Sequence, residues 1–151
     1  MKVALDTNFL VYAHGVGDTD RVKAAIVLLP RLTGHLFVST QVIGELFNVL
    51  SRKARFSKTV VLRSIADLEA VAEVAGAGHD VMRRALHLAL DHNFQIWDAF
   101  IVEAAVEAGC DILLSEDMQH GFFWNGLTIL NPFLDPPYPL LVEALEVASR
   151  S

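Results

Sequence analysis

Four acids stand where carboxylates are costly to place. Asp6 ends the apolar run Val3-Ala4-Leu5, and Asp117 closely follows Ile112-Leu113-Leu114. Glu45 lies between Gly44 and Leu46-Phe47, and Asp98 between Trp97 and Ala99-Phe100-Ile101, each inside an otherwise apolar helical segment. Carboxylates in such surroundings lose hydration unless something pairs them. No Lys or Arg lies within one helical turn of Asp98. A divalent ion would relieve the mutual repulsion, and hard oxygen ligands select magnesium or manganese over zinc. An ion held in this way lowers the pKa of a bound water, orients it in line with a leaving oxygen and stabilises charge on a phosphate, and two ions about 4 Å apart can share that work. No covalent nucleophile is then needed. Thr7, Asn8 and Ser115 are short neutral neighbours of these acids, suited to hydrogen-bonding metal-bound water or phosphate. Glu116 reads as a solvated acid that could reach a second ion. Taken singly, each of the four acids is equally at home as a cap or turn residue. Taken together, they all fall where the carboxyl ends of the strands of one sheet would gather them.

The elements that would position them follow from apolar spacing. Val3-Ala4-Leu5 is a short buried strand that stops at Asp6, and Leu36-Phe37-Val38 and Ile112-Leu113-Leu114 read the same way. A strand over residues 71–74 precedes the Gly76-Ala77-Gly78 break, and another is expected at 127–130 before Asn131-Pro132. Between them lie helical patterns. Val22, Ala25, Ile26 and Leu29 define a helix over residues 21–32 that Pro30 and Gly34 close. Ser39 or Thr40 caps a helix with an apolar face of Val42, Ile43, Leu46, Phe47, Val49 and Leu50, and its polar stripe is Gln41, Glu45, Asn48 and Arg52. Ser57 caps a helix through Leu68, Asp80 opens one carrying Met82, Leu86 and Leu90, and a helix from Ile96 to Ala108 ends at Gly109. The tail has helical spacing at Leu141, Leu145 and Ala148. Strands alternating with helices predict an α/β three-layer sandwich around a mostly parallel sheet. Residues 1–134 form its domain, and 135–151 are a C-terminal extension expected to dock as a helix.

Composition sets outer limits. The chain has 151 residues, 53% of them hydrophobic and 20% charged, which suits one domain with a real core and argues against disorder. No apolar stretch approaches the roughly 20 residues of a membrane span, and Asp6 comes too early for a signal peptide, so a cytoplasmic protein is expected. The single cysteine, Cys110, excludes an internal disulfide and reads as a buried thiol. A net charge of −6 at first counts against a nucleic-acid ligand. Setting aside Asp6, Glu45, Asp98, Glu116 and Asp117 leaves the remainder close to neutral, and a bound cation would offset much of that local charge. Six histidines form no ligand pair: His87 and His92 are five apart, on different sides of a helix. Arg52, Lys53 and Arg55 follow the Glu45 helix, and Arg52 continues its polar stripe, which makes them candidates for phosphate contact if the substrate is a nucleic acid.

The ordered set Leu5-Asp6-Thr7-Asn8, Ser39 to Glu45, Trp97-Asp98-Ala99 and Leu114-Ser115-Glu116-Asp117 before Gly121 resembles the PIN-domain family, and within it the VapC-like ribonuclease toxins of toxin-antitoxin pairs. The resemblance runs from Met1 to about Phe133. It implies that Asp6, Glu45, Asp98 and Asp117 bind Mg2+ or Mn2+, that Thr7, Asn8 and Ser115 occupy supporting polar positions, and that the substrate is RNA. It further implies a cytoplasmic toxin, usually dimeric, paired with a small DNA-binding antitoxin. The tail beyond Pro132 is longer than the motifs require, and Glu116 adds an acid where the family varies. Two other functions fit some of the residues. Asp6 after a first strand suits the covalent nucleophile of a phosphohydrolase, although Asn8 stands where a general acid would be wanted. An interaction module whose acids bind a metal without catalysis is the other.

Overall fold

The computed structural model describes residues 1–32 and 34–149. Its first strand, β1 (Val3–Leu5), is buried throughout and ends at Asp6. There the chain turns directly into helix α1 (Thr7–Ala13), because the Asp6 carboxylate accepts from the Thr7 N–H as its cap. This short helix was not expected from the sequence. Its buried residues Phe9, Leu10 and Val11 are consecutive, so they carry no helical period.

Helix α2 (Thr19–Arg31) starts two residues before the expected boundary, where Asp18 accepts from the Arg21 N–H. Pro30 lies inside α2 rather than closing it. The helix ends one residue later, with Leu32 N–H donating to Leu29 C=O at 3.1 Å. Strand β2 (Leu36–Ser39) delivers Ser39, whose hydroxyl accepts from Val42 N–H and starts α3 (Thr40–Asn48). A π-helical turn, Val49–Lys53, continues α3 and is closed by Ala54 N–H donating to Val49 C=O at 2.9 Å.

Ser57 caps α4 (Lys58–Val71) as expected, and β3 (Ala72–Ala75) follows one residue later than the spacing suggested. Helix α5 (His79–His92) opens at Gly78 rather than Asp80, and α6 (Ile96–Glu107) is capped by the Gln95 side chain. Gly109, at φ 70°, follows the end of α6. Strands β4 (Ile112–Leu114) and β6 (Leu127–Leu130) match expectation. Between them lies the unexpected two-residue β5 (Phe123–Trp124). Helix α7 (Pro139–Ala148) completes the chain, and the last residues of the expected extension, 150 and 151, lie outside the described residues.

The six strands form one sheet in the order β3-β2-β1-β4-β6-β5, parallel except for β5, which runs antiparallel to β6. The inner strands β1, β2, β4 and β6 are buried throughout, as strands of a parallel sheet flanked by helices must be. The α/β sandwich expected from the sequence is therefore the fold. Chain order runs outward from β1 through β2 and β3 on one side and resumes at β4 on the other. This reversal opens a crevice beyond the carboxyl ends of β1 and β4, the usual ligand position in open α/β sheets. Among the described residues no helix is long and apolar enough to cross a membrane.

Candidate active site

Register brings the first two site elements together. Leu5 pairs with Leu114, so Asp6 and Ser115 leave the sheet side by side, and Asp6 N–H still donates to Leu114 C=O at 3.1 Å. Ser115 Oγ donates to Asp6 Oδ2 at 2.7 Å and accepts from Asp117 N–H at 3.3 Å. The other Asp6 oxygen, Oδ1, accepts from Thr7 N–H at 2.7 Å. Asp6 is only 7% exposed. Burial pushes its pKa up to about 6; the hydrogen bonds from Ser115 and Thr7 oppose that shift, and the charges of Asp98 and Asp117 add to it.

The remaining acids arrive from helices and from the loop after β4. Glu45, one turn into α3, accepts from Thr7 Oγ1 at 2.6 Å and from Gln41 Nε2 at 3.0 Å. Oε1 of Gln41 is buried without a donor among the described residues. Asp98 sits in the first turn of α6, where its own N–H donates to the Gln95 cap at 3.3 Å. Its pKa is raised by burial first, and then by the neighbouring charges of Asp117 and Glu45. Asp117 is exposed and accepts from Asn8 Nδ2. Asp98 and Asp117 thus lie near enough to Asp6, and Asp117 and Glu45 near enough to Asp98, for charge to act between them. Thr7 holds Asp6 and Glu45, Asn8 holds Asp117, and Ser115 holds Asp6.

Glu116 turns elsewhere. It accepts from the Tyr12 hydroxyl and from Arg21 Nε, the latter at 2.5 Å, and is thus neither solvated nor directed at the acids. Arg21 also lies over the Phe133 ring, 5.9 Å from its centroid. Neither Tyr12 nor Arg21 was singled out in the sequence. The one local signal was the four-residue step from Asn8 to Tyr12, which places both on one face of α1. Arg21 meets Glu116 across 95 positions, and no local pattern reports such a pair.

Arg52 and Lys53 are exposed and border a cavity of about 420 Å³ that Thr7, Asn8 and Glu45 also line. Arg55 does not line it. Cys110 is buried, and burial raises its pKa to about 12, which makes it a packing residue. His92 packs against Phe122 and Trp124, while His120 accepts from Asn131 N–H.

The donor set suits a hard divalent cation. The four carboxylates have no ion-pair partner among the described residues, and the hydrogen-bond donors to Asp6, Glu45 and Asp117 are neutral. Each ionised oxygen accepting one hydrogen bond keeps a further lone pair. Among the described residues, however, no group of three or more His, Cys, Asp or Glu is already arranged to hold an ion. Side-chain rotation would have to complete the ligand shell.

A mostly parallel sheet with acids gathered at its switch point defines a class of α/β protein, and the sequence carries the signature of one such class. The PIN domain model matches residues 3–120, and the chain belongs to that family. No curated protein matches the chain significantly. Among solved structures, the fold is similar to the crystal structure of Mycobacterium tuberculosis VapC20, described as a Sarcin-Ricin loop cleaving toxin. The TM-score is 0.63 at 21% identity, over 74% of this chain and 87% of that one. A toxin-antitoxin complex from Klebsiella pneumoniae is similar at TM-score 0.63 and 18% identity, over 87% and 98% of the two chains. PAE2754 from Pyrobaculum aerophilum is similar at 0.60 and 15%, over 100% and 97%.

Proposed function

We propose that the chain is a Mg2+- or Mn2+-dependent endoribonuclease, the toxin of a cytoplasmic toxin-antitoxin pair. One observation carries this reading: Asp6, Glu45, Asp98 and Asp117 lie near enough at the carboxyl ends of the strands for charge to act among them, with neutral donors on Asp6, Glu45 and Asp117 and no counter-cation on any of the four among the described residues. When bound, a divalent ion supplies a Lewis acid for the phosphodiester and makes water a competent nucleophile. The protein's part is to hold the acids. Ser115 and the Thr7 N–H fix both oxygens of Asp6, the Thr7 hydroxyl and Gln41 amide fix Glu45, and Asn8 fixes Asp117. Because these donors are neutral, they orient the carboxylates without cancelling the charge that attracts the ion. A covalent role for Asp6 is less well supported, since both its oxygens are engaged and its side chain is almost fully buried.

The similarity to a toxin-antitoxin complex supports a small protein partner. Exposed Ile26 and Val27 on α2, with Val60, Leu62 and Val71 on α4, supply apolar surface for a homodimer. Light scattering that finds only monomer across a wide concentration range would remove the dimer. The nuclease itself is tested by incubating purified, partner-free protein with total RNA under magnesium, manganese or chelator and mapping the cut ends. Cleavage that needs the ion is expected. Cleavage undiminished by chelator, or none with either metal, would overturn the assignment.

A further inference from the structure

The cavity of about 420 Å³ beside Glu45 has a composition that the four acids do not explain. Thr7, Asn8 and Glu45 form its acidic side; Asn48, Arg52 and Lys53 continue along the same helix into the π-helical turn. From Glu45 to Arg52 is seven residues, or about 10 Å along a helix axis. The wall therefore grades from carboxylate through amide to paired cations.

Those cations are not used to hold the fold together. Lys2, Arg21 and Arg84 all form ion pairs, whereas Arg52 and Lys53 are exposed and have no ion-pair or hydrogen-bond partner among the described residues. They follow α3 in a single π-helical turn, a feature that recurs at functional sites. The cavity volume falls within the roughly 300–1,000 Å³ typical of pockets that enclose one small ligand. Half-buried Val49 adds an apolar contact.

We propose that this cavity is a nucleotide subsite for the RNA residue next to the cut bond, in which Arg52 and Lys53 hold the neighbouring phosphate and the Asn48 amide reads the base. The inference rests on the ribonuclease assignment. A strand whose scissile phosphate lies over Glu45 brings its next phosphate against Arg52 and Lys53, where a negative net charge would otherwise repel it. The amide offers a donor and an acceptor together, the pattern that complements a base edge, and unpaired RNA exposes those edges. The subsite thus favours single-stranded RNA.

Binding can be measured apart from cleavage. In the Asp6→Asn background with magnesium present, fluorescence anisotropy with labelled single-stranded RNA hexamers of each base reports affinity. Arg52→Gln and Lys53→Gln are each expected to weaken all four hexamers by about fivefold and to lower the salt slope by about 0.7 for each phosphate left without its cation, while Arg52→Lys recovers part of the affinity. Asn48→Ala is expected to flatten the preference among bases while leaving the salt slope unchanged. An Arg52→Gln/Lys53→Gln double variant with unchanged affinity and slope would overturn the phosphate subsite, and unchanged base preference in Asn48→Ala would overturn the base contact. If the double variant binds RNA normally but loses the protein partner, the cavity is a protein-docking site and the proposal fails. Loss of hexamer binding in wild-type protein that also cuts no RNA would instead count against the ribonuclease assignment.

Discussion

Asp6 concentrates the site's energetics. Its folded-state pKa of about 6, against an ordinary 3.8, means that the folded chain binds a proton at this position more tightly than the unfolded chain does. Without metal, the stability that Asp6 contributes is therefore fully present below about pH 4, is lost as pH rises toward about 6, and stays lost above it. A shift of this size corresponds to about 3 kcal/mol, since Asp6 is almost fully buried and little screened. The raised pKa of Asp98 acts in the same direction. Asp6→Asn should accordingly abolish cleavage yet raise metal-free stability at pH 7 by about 1–3 kcal/mol, with much less gain at pH 4. Urea denaturation at the two pH values checks it, and equal or lower stability at pH 7 would mean that burying the ionised Asp6 carboxylate costs no more than its hydrogen bonds return. Added magnesium should close the gap by stabilising the wild type alone.

The short helix α1 acts as a two-point clamp. Asn8 and Tyr12, one turn apart, hold the adjacent acids Asp117 and Glu116, while α2 contributes Arg21 to the same Glu116. Glu116 in this arrangement fixes the loop that carries Asp117. Tyr12→Phe removes one hydroxyl and should cost about 1 kcal/mol of stability. It should also weaken magnesium binding measured by calorimetry, and unchanged magnesium affinity would reduce the clamp to a packing contact. The end of the π-helical turn carries a different strain. Arg55 adopts φ 55°, a left-handed conformation that suits glycine, just after the turn's last residues. Arg55→Gly should raise stability by under about 1 kcal/mol, because relief of the left-handed penalty outweighs the entropy that glycine adds to the unfolded chain. Thermal melting reads this directly, and a lower melting temperature would show that the Arg55 side chain supports the fold.

At the level of the whole molecule, the family match ends at residue 120 while the core continues further, since Leu141 and Ala144 of α7 are buried with the rest. Residues 1–134 are proposed to carry the site, with the extension docked against them. Truncation after residue 134 should leave the acids in place and lower stability by about 2–3 kcal/mol through exposure of the surface that Leu141 and Ala144 cover. A truncated chain as stable as the full one would make α7 a dispensable appendage. What the sequence determined by itself was the alternation of elements and the stations of the acids. Buried parallel strands must be nearly all apolar, so Val3-Ala4-Leu5, Leu36-Phe37-Val38 and Ile112-Leu113-Leu114 stand out, and an acid after such a run marks the sheet edge. Capping was legible too, at Ser57 and at Ser39 or Thr40, because a capping hydroxyl acts within three residues of its own position; the structure selects Ser39. Tertiary structure alone decided that Phe9-Leu10-Val11 is helical, that Ser115 serves Asp6 across 109 positions, and that Glu116 turns to Tyr12 and Arg21. Local patterns register what lies within a turn or two of a residue, whereas these partners are set by strand order and register, which bring distant segments side by side.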